Sequence, residues 1–248
     1  MSKTETTKSH ELYNLALYDH DMLPVIAYGS AGTGKTYGAV QAAMEGMWSK
    51  KYRKIIVTRP NVSFADTLGH LPGTDREKME PWVAPVLQHM KEMGMKAGTL
   101  EMWEKDEKLI FKPLEHIQGL TFDNSIVIVD ECQNMSFDQL RVFLTRVGKW
   151  SKVVLCGDIA QTSPKFKNSG LAQLIKMIDK FDLPVHTIQF DTEDIVRSEQ
   201  CKMWVKAFEA WEAGADFSTK TRNEYDYYED DDVIETNDDI WDDYLETR

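Results

Sequence analysis

Short β-branched runs alternate with stretches of helical periodicity along most of the chain. Residues 24–28 (PVIAY), 54–58 (KIIVT), 125–130 (SIVIVD), 152–156 (KVVLC) and 185–190 (VHTIQF) read as strands. The run at 125–130 is apolar up to its terminal acid, the pattern of a strand buried on both faces. Between the strands, Val40, Ala43, Met44 and Met47 recur at the 3, 4, 7 spacing of one helix face. Further helices are expected over residues 9–18, 136–147 and 171–178, the second of them opened by a capping box formed by Ser136 and Gln139, with helical segments over 193–213. Residues 75–93 predict a helix in spite of Pro81 and Pro85, and LEMWEKDEKLIFKP (100–113) predicts a small hairpin. Alternating strands and helices predict an α/β fold with a mostly parallel sheet flanked by helices on both faces.

Composition narrows the class. The 248 residues are 42% hydrophobic and 28% charged, so neither a fibre nor a wholly disordered chain is expected. No apolar run approaches the roughly 20 residues of a membrane helix. The first ten residues lack the apolar stretch of a secretory signal, and a soluble cytoplasmic protein without a membrane segment is expected. Cys132, Cys156 and Cys201 show no C-x-x-C spacing and the six histidines form no metal-ligand pair, which argues against structural zinc and a disulfide framework. The net charge of −12 is concentrated: residues 216–248 hold 13 acidic residues against 3 basic ones, leaving residues 1–215 at only −2. One domain over 1–215 is therefore expected, followed by an acidic, disordered tail over 216–248 that offers a handle to a basic partner. The body itself stays open to polyanions.

Three motifs carry chemistry. Gly29, Ser30, Ala31, Gly32, Thr33, Gly34, Lys35 and Thr36 fit G-x-x-x-x-G-K-[ST], after a strand and before an amphipathic helix. Such a loop wraps phosphate in backbone N–H groups at a helix N-terminus. Lys35 is expected on the β- and γ-phosphates of ATP and the Thr36 hydroxyl on Mg²⁺. The buried strand ending at Asp130 and Glu131 supplies a second metal ligand in Asp130 and a general base for water in Glu131. Gly157-Asp158-Ile159-Ala160-Gln161 follows the next strand, at the sheet edge where α/β folds bind ligands, and puts Gln161 near the γ-phosphate. The acid pair favours water as acceptor over the alcohol of a small-molecule kinase. A slowly hydrolysing, nucleotide-gated binding module is the other alternative.

In this order the motifs resemble the PhoH family, phosphate-starvation-type P-loop ATPases akin to the first core domain of superfamily 1 helicases. The resemblance spans residues 23–211. Beyond the P-loop it rests on Thr58-Arg59-Pro60, LGHLPG (68–73), DECQN (130–134), LTRVG (144–148) with Ser151 and Lys152, GDIAQ, SGL (169–171) and DIVRS (194–198). It implies a RecA-like core and ATP-driven work on RNA or single-stranded DNA. It also implies a homo-oligomer, a hexameric ring being one form, with Arg59 in a segment that contacts phosphate or nucleic acid. Two departures stand out. Gln118-Gly119 and Leu120 occupy a stretch where relatives carry arginines, and no glutamine precedes the P-loop to read adenine, His10 and Glu11 standing nearest. Arg146 and Arg197 are the candidates for a catalytic cation lent by a neighbouring subunit, Arg146 otherwise closing its helix and Arg197 otherwise pairing with Glu193 or Asp194.

Overall fold

The computed structural model describes residues 6–60, 75–117, 122–161 and 169–215. Strands β1 (Val25–Gly29), β2 (Lys54–Arg59), β3 (Leu109–Pro113), β4 (Ser125–Val129), β5 (Lys152–Gly157) and β6 (His186–Phe190) form one sheet in the order β3-β2-β4-β5-β1-β6. Every described pairing is parallel. The strands therefore all end at one edge, and the loops leaving that edge build the site.

Strand periodicity divides the core in two. Ala27, Val57, Ile126, Ile128, Val154 and Cys156 face a layer formed by α1 (Lys8–Tyr18), α2 (Lys35–Trp48), α3 (Asp75–Glu92) and α4 (Ala97–Lys105). Their neighbours Ile26, Ile56, Val127, Val129, Val153 and Leu155 face the opposite layer, where Leu140 and Phe143 of α5 (Phe137–Leu144) meet Leu171, Leu174 and Ile178 of α6 (Gly170–Phe181). All five residues of β4 are buried, as its unbroken apolar run predicts. α3 carries both prolines on its exposed side, while Val83, Val86 and Met90 face inward at 3, 7 spacing.

Two expectations are corrected. The hairpin over 100–113 does not form: Leu100 and Trp103, three residues apart, bury one face of α4, and the chain turns through Glu107 into β3, which pairs in parallel with β2. The stretch offers no Gly-containing two-residue turn that would close a hairpin. α5 stops at Leu144, where the Thr145 hydroxyl donates to the Arg141 carbonyl, so 145–147 leave the helix. The helical segments expected over 193–213 are present as a short turn at Thr192–Asp194 and the last helix, α7 (Glu199–Glu212).

The chain divides into a compact unit, Met1–Lys206, and a second, Ala207–Arg248. LGHLPG, Gln118, Gly119, Leu120 and the acidic tail lie outside the described residues. No helix among the described residues is long and apolar enough to cross a membrane.

Ser151 and Lys152, which form part of the motif order, are fasteners at the far edge of the sheet. The Ser151 hydroxyl donates to the Phe122 carbonyl at 2.6 Å and accepts from the Ser125 N–H at 3.0 Å, joining the chain ahead of β4 to β5. The Lys152 side chain is wholly buried, and its ammonium donates to the carbonyls of Ala16 at 2.6 Å and Asp21 at 3.3 Å, with the Asp21 carboxylate 3.6 Å away. A cation is thus placed on the C-terminal carbonyls of α1, which has no basic residue of its own in its last turn. Lys152→Met should cost about 2 kcal/mol in chemical denaturation, because buried carbonyls lose their donor, while Asp21 keeps His186 at 3.1 Å. Loss of under ~0.5 kcal/mol, the range of an ordinary surface change, would disprove the fastening role.

Candidate nucleotide site

β1 ends in Gly29, whose φ of +120° and close approach to the Phe190 carbonyl, which occupies the place of a Cβ, exclude every side chain. The loop then curls to Gly34, left-handed at φ +79°, which opens α2. Its carbonyls are tied on the outside. Gly32 O accepts from the Val196 N–H at 3.1 Å, and Gly29 O and Ser30 O accept from the Lys35 ammonium at 2.8 and 2.6 Å. Thr33 O accepts from His10 Nε2 at 3.0 Å, which fixes a proton on that nitrogen because a carbonyl only accepts. Nδ1 of His10 meets the Thr7 hydroxyl at 2.7 Å, and Thr7 donates to Asp194. With the carbonyls engaged, the loop is held in the form that turns N–H groups toward a phosphate.

Lys35 rests on the loop itself, its ammonium also donating to the Thr33 hydroxyl at 3.1 Å. Burial holds its ammonium below the ordinary lysine pKa, although the carboxylates of Asp158, Glu131 and Asp130 work the other way. Tyr13 on α1 donates to the Lys35 carbonyl at 2.8 Å and packs edge-on against Phe190. Burial keeps both neighbouring thiols protonated, pushing Cys156 up to about 12 and Cys132 well above the usual thiol range.

The acids converge on the same loop. The Thr36 hydroxyl donates to Asp130 Oδ1 at 2.8 Å, joining residues 94 positions apart. Burial raises the Asp130 pKa above 3.8, and nearby Glu131 adds to this, while the Thr36 hydrogen bond and Arg59 oppose it. Glu131 adopts a left-handed backbone at φ +53°, which costs a non-glycine residue about 1 kcal/mol and bends the chain straight off β4. Its Oε2 accepts from Gln133 Nε2 at 2.6 Å, and its Oε1 lies 3.5 Å from the Arg59 guanidinium, which also stands 3.8 Å from Asp130. Gln133, 1% exposed, accepts the Asp158 N–H through Oε1 at 3.0 Å. One buried amide therefore connects the acid turn after β4 with the GDIAQ turn after β5. Its signal in the sequence is a polar residue four positions past the end of a buried strand, between Cys132 and Asn134 in an otherwise buried turn.

These groups line one cleft of about 1020 Å³, with Ala31, Gly32, Thr33, Gly34, Lys35, Thr36, Arg59, Asp130, Glu131, Gln161 and Arg197 on its walls. Gln161 lies on the short turn after β5. Arg197 does not pair with Glu193, whose carboxylate is held by Lys202 and Lys206. Its stem lies over Gly32 of its own chain, 3.0 Å from where a Cβ would stand. Arg146 falls outside the cleft. It lines a small hollow with Leu114, Ile117 and Phe143, and the chain just after it pairs with Phe122, ahead of β4, at the opposite edge of the sheet. Arg146 is therefore removed from the catalytic groups of its own site. His10 lines the cleft but both ring nitrogens are already bonded, and Glu11 is exposed on α1 and outside the cleft lining.

The donor set fits a nucleoside triphosphate with magnesium. Thr36 and Asp130 form the hydroxyl–carboxylate oxygen pair that suits Mg²⁺, and a cation there relieves the crowding of Asp130 and Glu131. When bound, the ion supplies positive charge to the phosphates.

The all-parallel sheet and the loop at its edge define a P-loop NTPase fold. Among solved structures, the large terminase of a thermophilic bacteriophage superposes with a TM-score of 0.50 at 13% identity, over 83% of this chain and 50% of that one. The chain belongs to the PhoH-like protein family, whose model matches residues 3–209. It is 34% identical to the PhoH-like protein of Bacillus subtilis over 204 residues, 82% of this chain and 63% of the relative. It is 34% identical to protein PhoH of Escherichia coli over 186 residues, 74% of this chain and 52% of the relative. The chain thus spans between half and two thirds of the length of these relatives.

The raised Asp130 pKa has a consequence for stability. Between 3.8 and that raised value the folded chain binds more protons than the unfolded one, so this group's contribution to stability falls as pH rises through the window. Asp130→Asn should therefore raise the denaturation midpoint of the nucleotide-free protein at neutral pH and abolish Mg²⁺-dependent nucleotide binding. A lowered midpoint in calorimetry would contradict the burial account.

Proposed function

We propose that the chain is a Mg²⁺-dependent ATPase whose turnover is coupled to single-stranded RNA or DNA and which works as a homo-oligomer. The observation that carries the hydrolytic part is the contact of Thr36 with Asp130 at 2.8 Å, with Glu131 next in line on a strained turn. In this reading Lys35 exchanges the Gly29 and Ser30 carbonyls for the β- and γ-phosphates. Glu131 takes a proton from water as the water oxygen bonds to the γ-phosphorus. The bridging bond to the β-phosphate breaks, and its electron pair leaves with ADP. Gln161 contacts the γ-phosphate from the β5 turn. Arg197 adds charge from over Gly32 of the same chain.

Support for a polynucleotide comes from three directions: a body near neutral once the tail is set apart, the Arg59 guanidinium on the cleft wall, and the motif order shared with helicase-like ATPases. Base selectivity is expected to be weak, since His10 offers no unbonded ring nitrogen to a base edge.

Lys35→Ala should lose nucleotide binding, whereas Glu131→Gln should bind nucleotide normally and lose about 10²- to 10⁴-fold in turnover, the usual contribution of a general base. Equilibrium binding of a fluorescent ATP analogue beside phosphate release separates the two. Wild-type turnover by Glu131→Gln would overturn the assignment, and a phosphorylated acceptor in place of free phosphate would redirect it to a kinase. Phosphate release with and without single strands tests the coupling, and light scattering with ATP bound tests the oligomer.

A further inference from the structure

The cleft continues past the phosphate loop. Between α2 and α3 it is walled by Tyr37, Gln41, Trp82, Pro85 and His89, with Arg59 at the junction with the acids. None of these side chains from α2 or α3 is needed to hold a triphosphate on the loop. Tyr37 is 39% exposed, and its ring meets that of His89 edge-on at 5.3 Å. Trp82, half-buried, leans edge-on against Phe111 of β3. His89 Nδ1 is buried without a hydrogen-bond partner among the described residues. Aromatic rings, an unmatched imidazole nitrogen and one guanidinium on a single wall are the chemistry that receives a base and its phosphate.

Arg59 itself is held loosely. Its distances of 3.8 Å to Asp130 and 3.5 Å to Glu131 are long for an ion pair, and its side chain is 35% exposed, so solvent screens both contacts. A strand phosphate offers the guanidinium a stronger, two-pronged partner. While Arg59 stays on Glu131, both carboxylate oxygens are engaged, Oε1 facing Arg59 and Oε2 facing Gln133. Arg59 then competes with water for Oε1 and its charge lowers the basicity of the carboxylate.

We propose that this arm of the cleft is a second site, one that takes a single-stranded nucleotide unit with its base against Trp82 and Tyr37. The strand phosphate draws Arg59 off Glu131 and so frees the base for hydrolysis. The proposal rests on the polynucleotide-coupled reading above and names the residues that do the coupling. By linkage, ATP and Mg²⁺ engaging Asp130 loosen Arg59 in turn and tighten the strand.

Fluorescence anisotropy with labelled oligo-deoxythymidylate and oligo-uridylate, together with phosphate release, tests it on the full chain. Trp82→Ala should weaken strand binding roughly tenfold, the usual scale for one lost stacking ring. Trp82→Phe, which keeps a stacking face and the packing on Phe111, should restore most of it. Arg59→Ala should weaken binding several-fold, raise turnover without a strand, and abolish stimulation by the strand. The deoxythymidylate and uridylate arms distinguish DNA from RNA as the source. Failure of the wild type to bind either strand would overturn the coupled reading and this site with it. Strand binding that is unchanged in Trp82→Ala and Arg59→Ala would overturn this site alone and place the strand elsewhere. Lower turnover of Arg59→Ala without a strand would assign Arg59 to the triphosphate and refute the release of Glu131. Saturable competition by free thymidine monophosphate but not by the strand would make the arm a small-molecule pocket, contrary to the proposal.

Discussion

A loop that offers its N–H groups to phosphate must place its carbonyls somewhere else, and the rest of this structure follows from where they go. Buried carbonyls without donors are costly. Here the donors come from α1 through His10, from the segment after β6 through Val196, and from Lys35 within the loop. Phe190 closes the set by accepting from the Ser30 N–H and by standing too close to Gly29 for any side chain there. Elements distant in sequence are thereby committed to one loop before a ligand arrives, the condition for a preorganised phosphate site.

Strand order sets the second constraint. β5 lies between β1, which carries the loop, and β4, which carries the acids. Neighbouring strands are about 4.8 Å apart, so β1 and β4 ends stand roughly 10 Å from each other. The Thr36 side chain reaches from the start of α2 to meet Asp130, and the turn after β5 fills the space between. Gln133 then makes that turn and the acid turn a single hydrogen-bonded piece.

Contiguous chemistry was legible in the sequence, and contacts across the fold were not. The P-loop, Asp130 with Glu131, and GDIAQ are short runs whose flanking strands announce themselves by β-branched residues, so their place at one sheet edge follows. β3 was expected as one arm of a hairpin, but its partner arm is a helix, because the buried residues Leu100 and Trp103 only make sense once helical spacing is preferred over alternation. The part played by His10 lay in a spacing: His10, Tyr13 and Leu17 at 3, 7 share one face of α1, and a histidine there points where the tyrosine does. Arg146 and Arg197 were indistinguishable as candidate cations, because what separates them is the sheet edge each lies on, and that depends on where α5 ends and on the Val196 bond to Gly32.

α1 is fixed at both ends by different edges of the sheet. Thr7, His10 and Tyr13 bind it to the phosphate loop, and Lys152 holds its last carbonyls at the opposite edge. An 11-residue helix spans about 16 Å. It therefore acts as a brace across the layer, and a change of loop geometry has a rigid route to the start of β5. A fusion, cleavage or modification just ahead of Thr7 would act on the nucleotide loop itself, making the N-terminal approach to this helix a mechanical handle on the site.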